Sequence, residues 1–82
     1  SFYGENLKAQ ALNDYNNAIS YYKKAIQLKP NYSEAYYNRG ATYYGMGKYA
    51  DAMADSKRAL DLNPGDSATK NLYDMISRKL GS

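Results

Sequence analysis

The 82-residue chain contains no cysteine and no histidine. The first absence excludes a disulfide framework and thiolate chemistry. The second removes the usual general base and the usual nitrogen ligand for a metal. Tryptophan is missing as well, and phenylalanine occurs once against 11 tyrosines. No stretch approaches the roughly 20 apolar residues of a membrane span, and no basic segment followed by an apolar run suggests a secretory leader. Together these absences predict a non-enzymatic chain with no cofactor, no metal site and no membrane partner, located in the cytoplasm. The opening Ser1-Phe2-Tyr3-Gly4 reads as a cut through a longer protein.

What remains suits one small domain. Tyrosine fills space like other aromatics but keeps a hydroxyl that needs water or a partner. A chain whose aromatics are nearly all tyrosine therefore fits a thin, two-layer arrangement with many side chains buried at one end and wet at the other. The net charge is +3. Its cations are spread along the chain in short pairs such as Lys23-Lys24, Lys57-Arg58 and Arg78-Lys79. Nucleic-acid binding demands a clustered basic face, so this pattern reads as a mildly basic solvated surface.

Pro30 and Pro64 stand 34 positions apart, and the residues before each repeat one another. Tyr15 matches Tyr49, Ala18 matches Ala52, Lys23 matches Lys57, Ala25 matches Ala59 and Leu28 matches Leu62, with Ile26 and Leu60 as a conservative pair. A fixed period of this length marks a helix-turn-helix array. Five helical segments follow from apolar spacing. The first covers roughly 5–12 and stops near Asn13. The second is capped by Asp14 and closed by Pro30, which lacks an N–H and biases Lys29 away from the α region. The third begins at a Ser33 cap with Glu34 in its first turn, where the helix dipole favours an anion. Gly45 and Gly47 supply the turn into the fourth, about 49–62. The fifth, about 67–80, carries Ala68, Leu72, Met75 and Ile76 on one stripe. Gly40, Ala52 and Ala59 are small where paired axes should approach closely.

Over Ser33 to Asp66 these residues resemble a tetratricopeptide repeat (TPR): Tyr36, Gly40, Tyr43, Ala52, Ala59 and Pro64 fall at the family's spacing. Asn13 onward resembles a first unit through Tyr15, Ala18, Tyr22, Ala25 and Pro30, although its opening helix departs, with Asn6 at the small-residue position and Glu5 at an apolar one. The resemblance implies an all-α, TPR-like α-solenoid of antiparallel helix pairs, five helices in a right-handed superhelical stack. Repeat one would span about 1–32, repeat two 33–66 and a capping helix 67–80. It also implies a protein-interaction module, whose concave groove holds an extended or C-terminal peptide or a partner protein.

Carried onto this chain, the groove is lined by Glu34, Tyr37, Asn38, Ala41 and Tyr44. Lys70, Asn71, Asp74 and Arg78 form one wall, and Leu7 with Gln10 the other. The residues expected to bind are Tyr37, Asn38, Tyr44, Lys70, Asn71 and Arg78. Asn38 precedes Arg39-Gly40 as an asparagine does in the chaperone-binding subset of the family, where the amide helps grip a C-terminal carboxylate. The other four positions of that clamp hold Tyr3, Leu7, Ser67 and Asn71, so a full carboxylate clamp is not expected; a variant could recruit Lys70 and Arg78. Asn38 could equally be a solvated wall residue, and Tyr37 and Tyr44 either read a peptide or pack between helices.

Asp51 and Asp55 stand one helical turn apart and read as a solvated pair without a nucleophile. Gly45-Met46-Gly47 lacks the following lysine-serine of a phosphate loop and sits between two helices and not after a strand. The leading expectation is thus a peptide-binding scaffold or co-chaperone-like module. The alternative is self-association through apolar surface left at Leu7, Ala11 and Leu12.

Overall fold

The structure, a computed structural model, describes the backbone of residues 2–81 and the side chains of residues 4–81. Among these, the chain forms four α-helices and not five: α1 (Phe2–Leu28), α2 (Ser33–Gly45), α3 (Tyr49–Leu62) and α4 (Ser67–Gly81). The two segments expected at the N-terminus are one continuous helix of 27 residues. The break expected at Asn13 and the Asp14 cap are not there.

The turn between α2 and α3 supplies the physical reason. Gly47 has φ +78°, a left-handed conformation that costs a side-chain-bearing residue about 1–2 kcal/mol. Its N–H donates to the Tyr44 carbonyl at 3.0 Å, and the Lys48 N–H donates to Tyr43 at 2.9 Å. These paired bonds satisfy the last carbonyls of α2 and stop it. Thirty-four positions earlier, Gly45 and Gly47 become Ala11 and Asn13. Ala11 and Leu12 are strong helix formers, and without a glycine to stop it the helix propagates.

Elsewhere the punctuation works as the residues dictate. α1 ends at Leu28, two residues before Pro30. α2 begins at Ser33, but Tyr32 occupies the cap position and no side chain caps it, so the expected Ser33 cap does not form. Before α4 the Asp66 carboxylate accepts the Thr69 hydroxyl at 2.5 Å.

Successive helices pack in order, α1 on α2, α2 on α3 and α3 on α4. The connections are short, so neighbours run antiparallel and α2 and α4 point the same way. The molecule measures 44 × 34 × 18 Å; the short dimension is about two helix diameters. The core is Ala52, Leu72 and Ile76, with Tyr37, Ala41, Tyr43, Tyr44, Tyr49 and Met53 packed against it. α2 and α3 come closest at Gly40: a Cβ there would stand 3.2 Å from the Asp55 Cβ and 3.3 Å from the Ala52 carbonyl oxygen. The face of α3 that receives Gly40 is Ala52, Asp55, Ser56 and Ala59, all buried. On α4 the buried stripe is Thr69, Leu72 and Ile76. Met75, expected on that stripe, is 42% exposed, and Ala68 is exposed too.

Candidate functional site: a polar cleft between the starts of α2 and α4

The first turns of α2 and the loop into α4 meet to form a cleft of about 350 Å³, lined by Ser33, Glu34, Tyr37, Asn38, Asn63 and Asp66. Tyr37 and Asn38 both line it. Both are half-buried. Tyr37 supports the core with part of its ring while it lines the cleft. The Asn38 backbone carbonyl accepts the Thr42 hydroxyl at 2.8 Å. The other expected groove residues are not in this cleft. Tyr44 lies near the far end of α2, its ring centroid 5.5 Å from that of Tyr49 and its body against the core. Lys70, Asn71 and Arg78 stand exposed along α4. Asp74 is half-buried on the same helix. The second wall is not built as expected: Leu7 and Gln10 are exposed on a segment that runs on as part of α1. The Tyr3 side chain lies outside the described residues.

Two features escaped the sequence reading. The first is charge placement along the groove. Glu34 and Asp66 mark the end formed by the helix starts, while Lys70 and Arg78 lie progressively along α4. Lys70 and Arg78 are eight residues apart, about 12 Å of helix. Asp74 stands between them, so charge is acidic at the helix starts and mixed along α4. The order of these residues along parallel helices was available in the sequence; the Asn63-Asp66 loop folding in beside Glu34 was not.

The second is an ion pair under the site. Arg39 donates two hydrogen bonds to Asp55, from Nε at 2.8 Å and from Nη2 at 2.7 Å. Asp55 is 5% exposed, so it is not the solvated partner of Asp51 that helical spacing suggested. Its place three residues after Ala52 and four before Ala59 puts it on the buried stripe, a signal the sequence contains. The hydrogen bonds to Asp55 hold the Arg39 guanidinium above its ordinary pKa, against a smaller opposing pull from burial. The Tyr36 ring has the Arg39 and Arg58 guanidinium carbons 5.7 and 5.8 Å from its centroid. Arg39 thus fixes α2 against α3 from the residue next to Asn38, and holds the backbone that presents Asn38.

Among the described residues there is no group of histidine, cysteine, aspartate or glutamate side chains able to hold a metal ion. No helix among them is long and apolar enough to cross a membrane.

Comparison with known proteins agrees with this geometry. The tetratricopeptide repeat profile matches residues 33–66, and a second TPR repeat profile matches residues 10–47. DnaJ homolog subfamily C member 7 of Mus musculus is 40% identical over 53 residues, 65% of this chain and 11% of that protein. Serine/threonine-protein phosphatase 5 of Homo sapiens is 39% identical over 64 residues, 72% of this chain and 13% of that protein. The STIP1 homolog of Dictyostelium discoideum is 39% identical over 51 residues, 62% of this chain and 9% of its own length. The chain therefore spans about a tenth of the curated relatives it matches. Among solved structures, the first TPR of Spaghetti (RPAP3), bound to the HSP90 peptide SRMEEVD, superimposes with a TM-score of 0.81 at 32% identity, over 87% of this chain and 56% of that one. With the repeat profiles running through both helix junctions that set the cleft, the chain belongs to the tetratricopeptide repeat family.

Proposed function

We propose that this chain is a peptide-binding module of the co-chaperone or scaffold kind, and that it takes an extended peptide along the concave face of α2 and α4 that right-handed stacking of helix pairs produces. The observation that carries this is the likeness to the Spaghetti TPR, which holds an acidic peptide. The cleft beside Tyr37 and Asn38 gives a ligand somewhere to sit on the corresponding face of this chain.

The acidic side chains at the helix starts set the peptide's direction. Glu34 and Asp66 repel a carboxylate at the helix starts, so an acidic or C-terminal end belongs toward Lys70 and Arg78. The Tyr37 ring and the Asn38 amide then take the preceding residues, the amide donating to a peptide carbonyl or accepting from an N–H. Complementary charge of this kind sets orientation and partner choice more than raw affinity.

Fluorescence anisotropy with a labelled peptide ending in acidic residues tests this. Replacing Tyr37, Asn38 and Arg78 together with alanine is expected to weaken binding at least tenfold, about 1.4 kcal/mol. Amidating the peptide's C-terminus is expected to weaken binding to the unsubstituted chain and to have a smaller effect on the triple variant, which lacks Arg78. Affinity unchanged in the triple variant, with its helicity intact, removes this face as the site.

A further inference from the structure

The continuous α1 leaves one helix seat in this fold empty, and the second repeat shows what belongs there. In that repeat, α2 and α4 pack on α3 from two sides, and none of Ala52, Asp55, Ser56 and Ala59 is more than 5% exposed. The matching face of the first repeat, 34 positions earlier, is Ala18, Tyr21, Tyr22 and Ala25 on α1. There Tyr21 is 70% exposed, and the other three are only half-buried. Open space flanks both ends of this face. At one end a cleft of about 490 Å³ is bounded by Leu12, Tyr15, Gly45 and Met46. At the other a cleft of about 210 Å³ is bounded by Tyr21, Tyr22, Ala25 and Ala35. Tyr15 holds the position of Tyr49, whose ring is covered in the second repeat by Tyr44.

The helix that would fill this seat is the chain's own residues 2–12, the counterpart of α2. They cannot reach it, because they continue α1 in a straight line beyond the face they would cover. Their apolar side chains are accordingly left in water: Leu7 is 48% and Leu12 53% exposed. An unfilled seat and an unseated helix on the same chain are self-complementary, and a two-fold pairing satisfies both at once.

We infer that two copies of this chain exchange their N-terminal helical halves, residues 2–12 of each lying on the Ala18–Ala25 face of the other. A helix of this length is about 16 Å long and about 10 Å across, and exchange fills two such seats, enough for an interface on the order of the 1,200–2,000 Å² of a specific dimer. The 210 Å³ cleft shares Glu34 and Asn38 with the α2–α4 cleft, so the exchange is read from disulfide pattern and sedimentation mass without peptide, and its failure and the failure of peptide binding are separate results.

The geometry of the second repeat designs the test. A Cβ on Gly40 would stand 3.2 Å from the Asp55 Cβ, near the separation a disulfide spans. The corresponding pair in the first repeat is Asn6 and Tyr21. On one straight α1 these are about 22 Å apart and cannot be bridged. The whole chain, free of native cysteine, carries Asn6→Cys and Tyr21→Cys and is oxidised at tens of micromolar. The expected product is a covalent dimer on a non-reducing gel that reductant returns to monomer, together with a doubled sedimentation mass for the unsubstituted chain. An intramolecular disulfide at monomer mass shows α1 folding back on itself and overturns the exchange. Absence of any disulfide with a monomeric sedimentation mass overturns it as well. A second variant, Ala11→Gly with Asn13→Gly, restores the glycines of the α2–α3 turn. It is expected to return the chain to monomer with helicity retained, and a variant that remains fully dimeric places the interface elsewhere.

Discussion

Replacing Arg39 should cost more than replacing Asp55, and the difference follows from which of the two can still reach water. The side chain of Arg39 is 21% exposed and that of Asp55 7%. Arg39→Met keeps the stem packing and the helix propensity of arginine, so it removes the guanidinium and little else. It strands a buried carboxylate that had accepted two charge-assisted hydrogen bonds. Breaking a fully buried pair this way costs 3–5 kcal/mol, and the partial exposure of Arg39 lowers the expectation to about 3 kcal/mol. For a domain of this size that is a fall in Tm of roughly 12–24 °C. Asp55→Asn retains an acceptor of the same shape and leaves the guanidinium, which can turn its exposed edge to solvent, so the expected cost is about 1–2 kcal/mol. The double variant should cost less than the two singles added together, because the second change removes a partner that is already lost.

Urea and thermal unfolding followed by circular dichroism at 222 nm measure all three. The pH dependence provides an internal check. The folded-state pKa of Arg39 is raised, so its stabilisation is fully present below the unfolded arginine value, far above neutral, and is lost only as pH rises beyond it. The Arg39→Met penalty should therefore be the same at pH 6 and pH 9. Two outcomes would refute the reasoning: a cost for Asp55→Asn equal to or above that for Arg39→Met, or both singles within about 0.5 kcal/mol of the parent, as an exposed pair would give.

Two further substitutions probe the backbone logic. Gly40→Leu forces a side chain against the Ala52 carbonyl, which cannot retreat without moving α3. It should cost at least ~3 kcal/mol, while Gly40→Ala, with some gain in helix propensity, should cost about 1 kcal/mol; unfolding midpoints separate the two. Gly47→Ala meets open space but must hold positive φ. Its cost should be about 1–2 kcal/mol, and Gly65→Ala, also in open space and without positive φ, should cost less than half of that in the same urea titration.

The sequence carried the second repeat nearly whole because each signal there is local. Pro30, Gly47 and Pro64 punctuate helices through their own backbones, and Gly40, Ala52 and Ala59 announce a close approach through their size. Asp55 was misjudged because its charge was weighed ahead of its position on the Ala52–Ala59 stripe. Thr69 was overlooked in favour of Met75 for a similar reason: a hydroxyl that bonds Asp66 can be buried as readily as a thioether. The polar cleft was half legible. Tyr37 and Asn38 follow from the face of α2, but the pairing of Glu34 with the Asn63–Asp66 loop depends on how two non-adjacent segments meet, which helical periodicity does not encode.

The first repeat was misread for a different reason, and it bears on how finely the fold is poised. Its sequence keeps the second-helix residues of the unit, and the expected turn at Asn13 rested on apolar spacing and on Asp14 as a cap, neither of which stops a helix by itself. A turn there must place Asn13 or a neighbour at positive φ, at about 1 kcal/mol even for asparagine, and must give up helical hydrogen bonds that Ala11 and Leu12 favour. Against this stands the burial gained when residues 2–12 fold back, and Leu7 and Leu12 are the large apolar side chains among residues 4–12 able to supply it, at about 1.5–3 kcal/mol each when fully covered. Asn6, where the second repeat has Gly40, keeps the two axes from approaching as closely and reduces that gain. The opposing terms are of the same size, so two or three side chains decide between a hairpin and a straight helix. Asn6→Gly should therefore act in the same direction as the glycines of the turn, increasing the fraction of intramolecular packing by letting the helices approach. A rise in the covalent dimer when Asn6→Gly is paired with cysteines at other facing positions would refute this, because close approach would then favour exchange over fold-back.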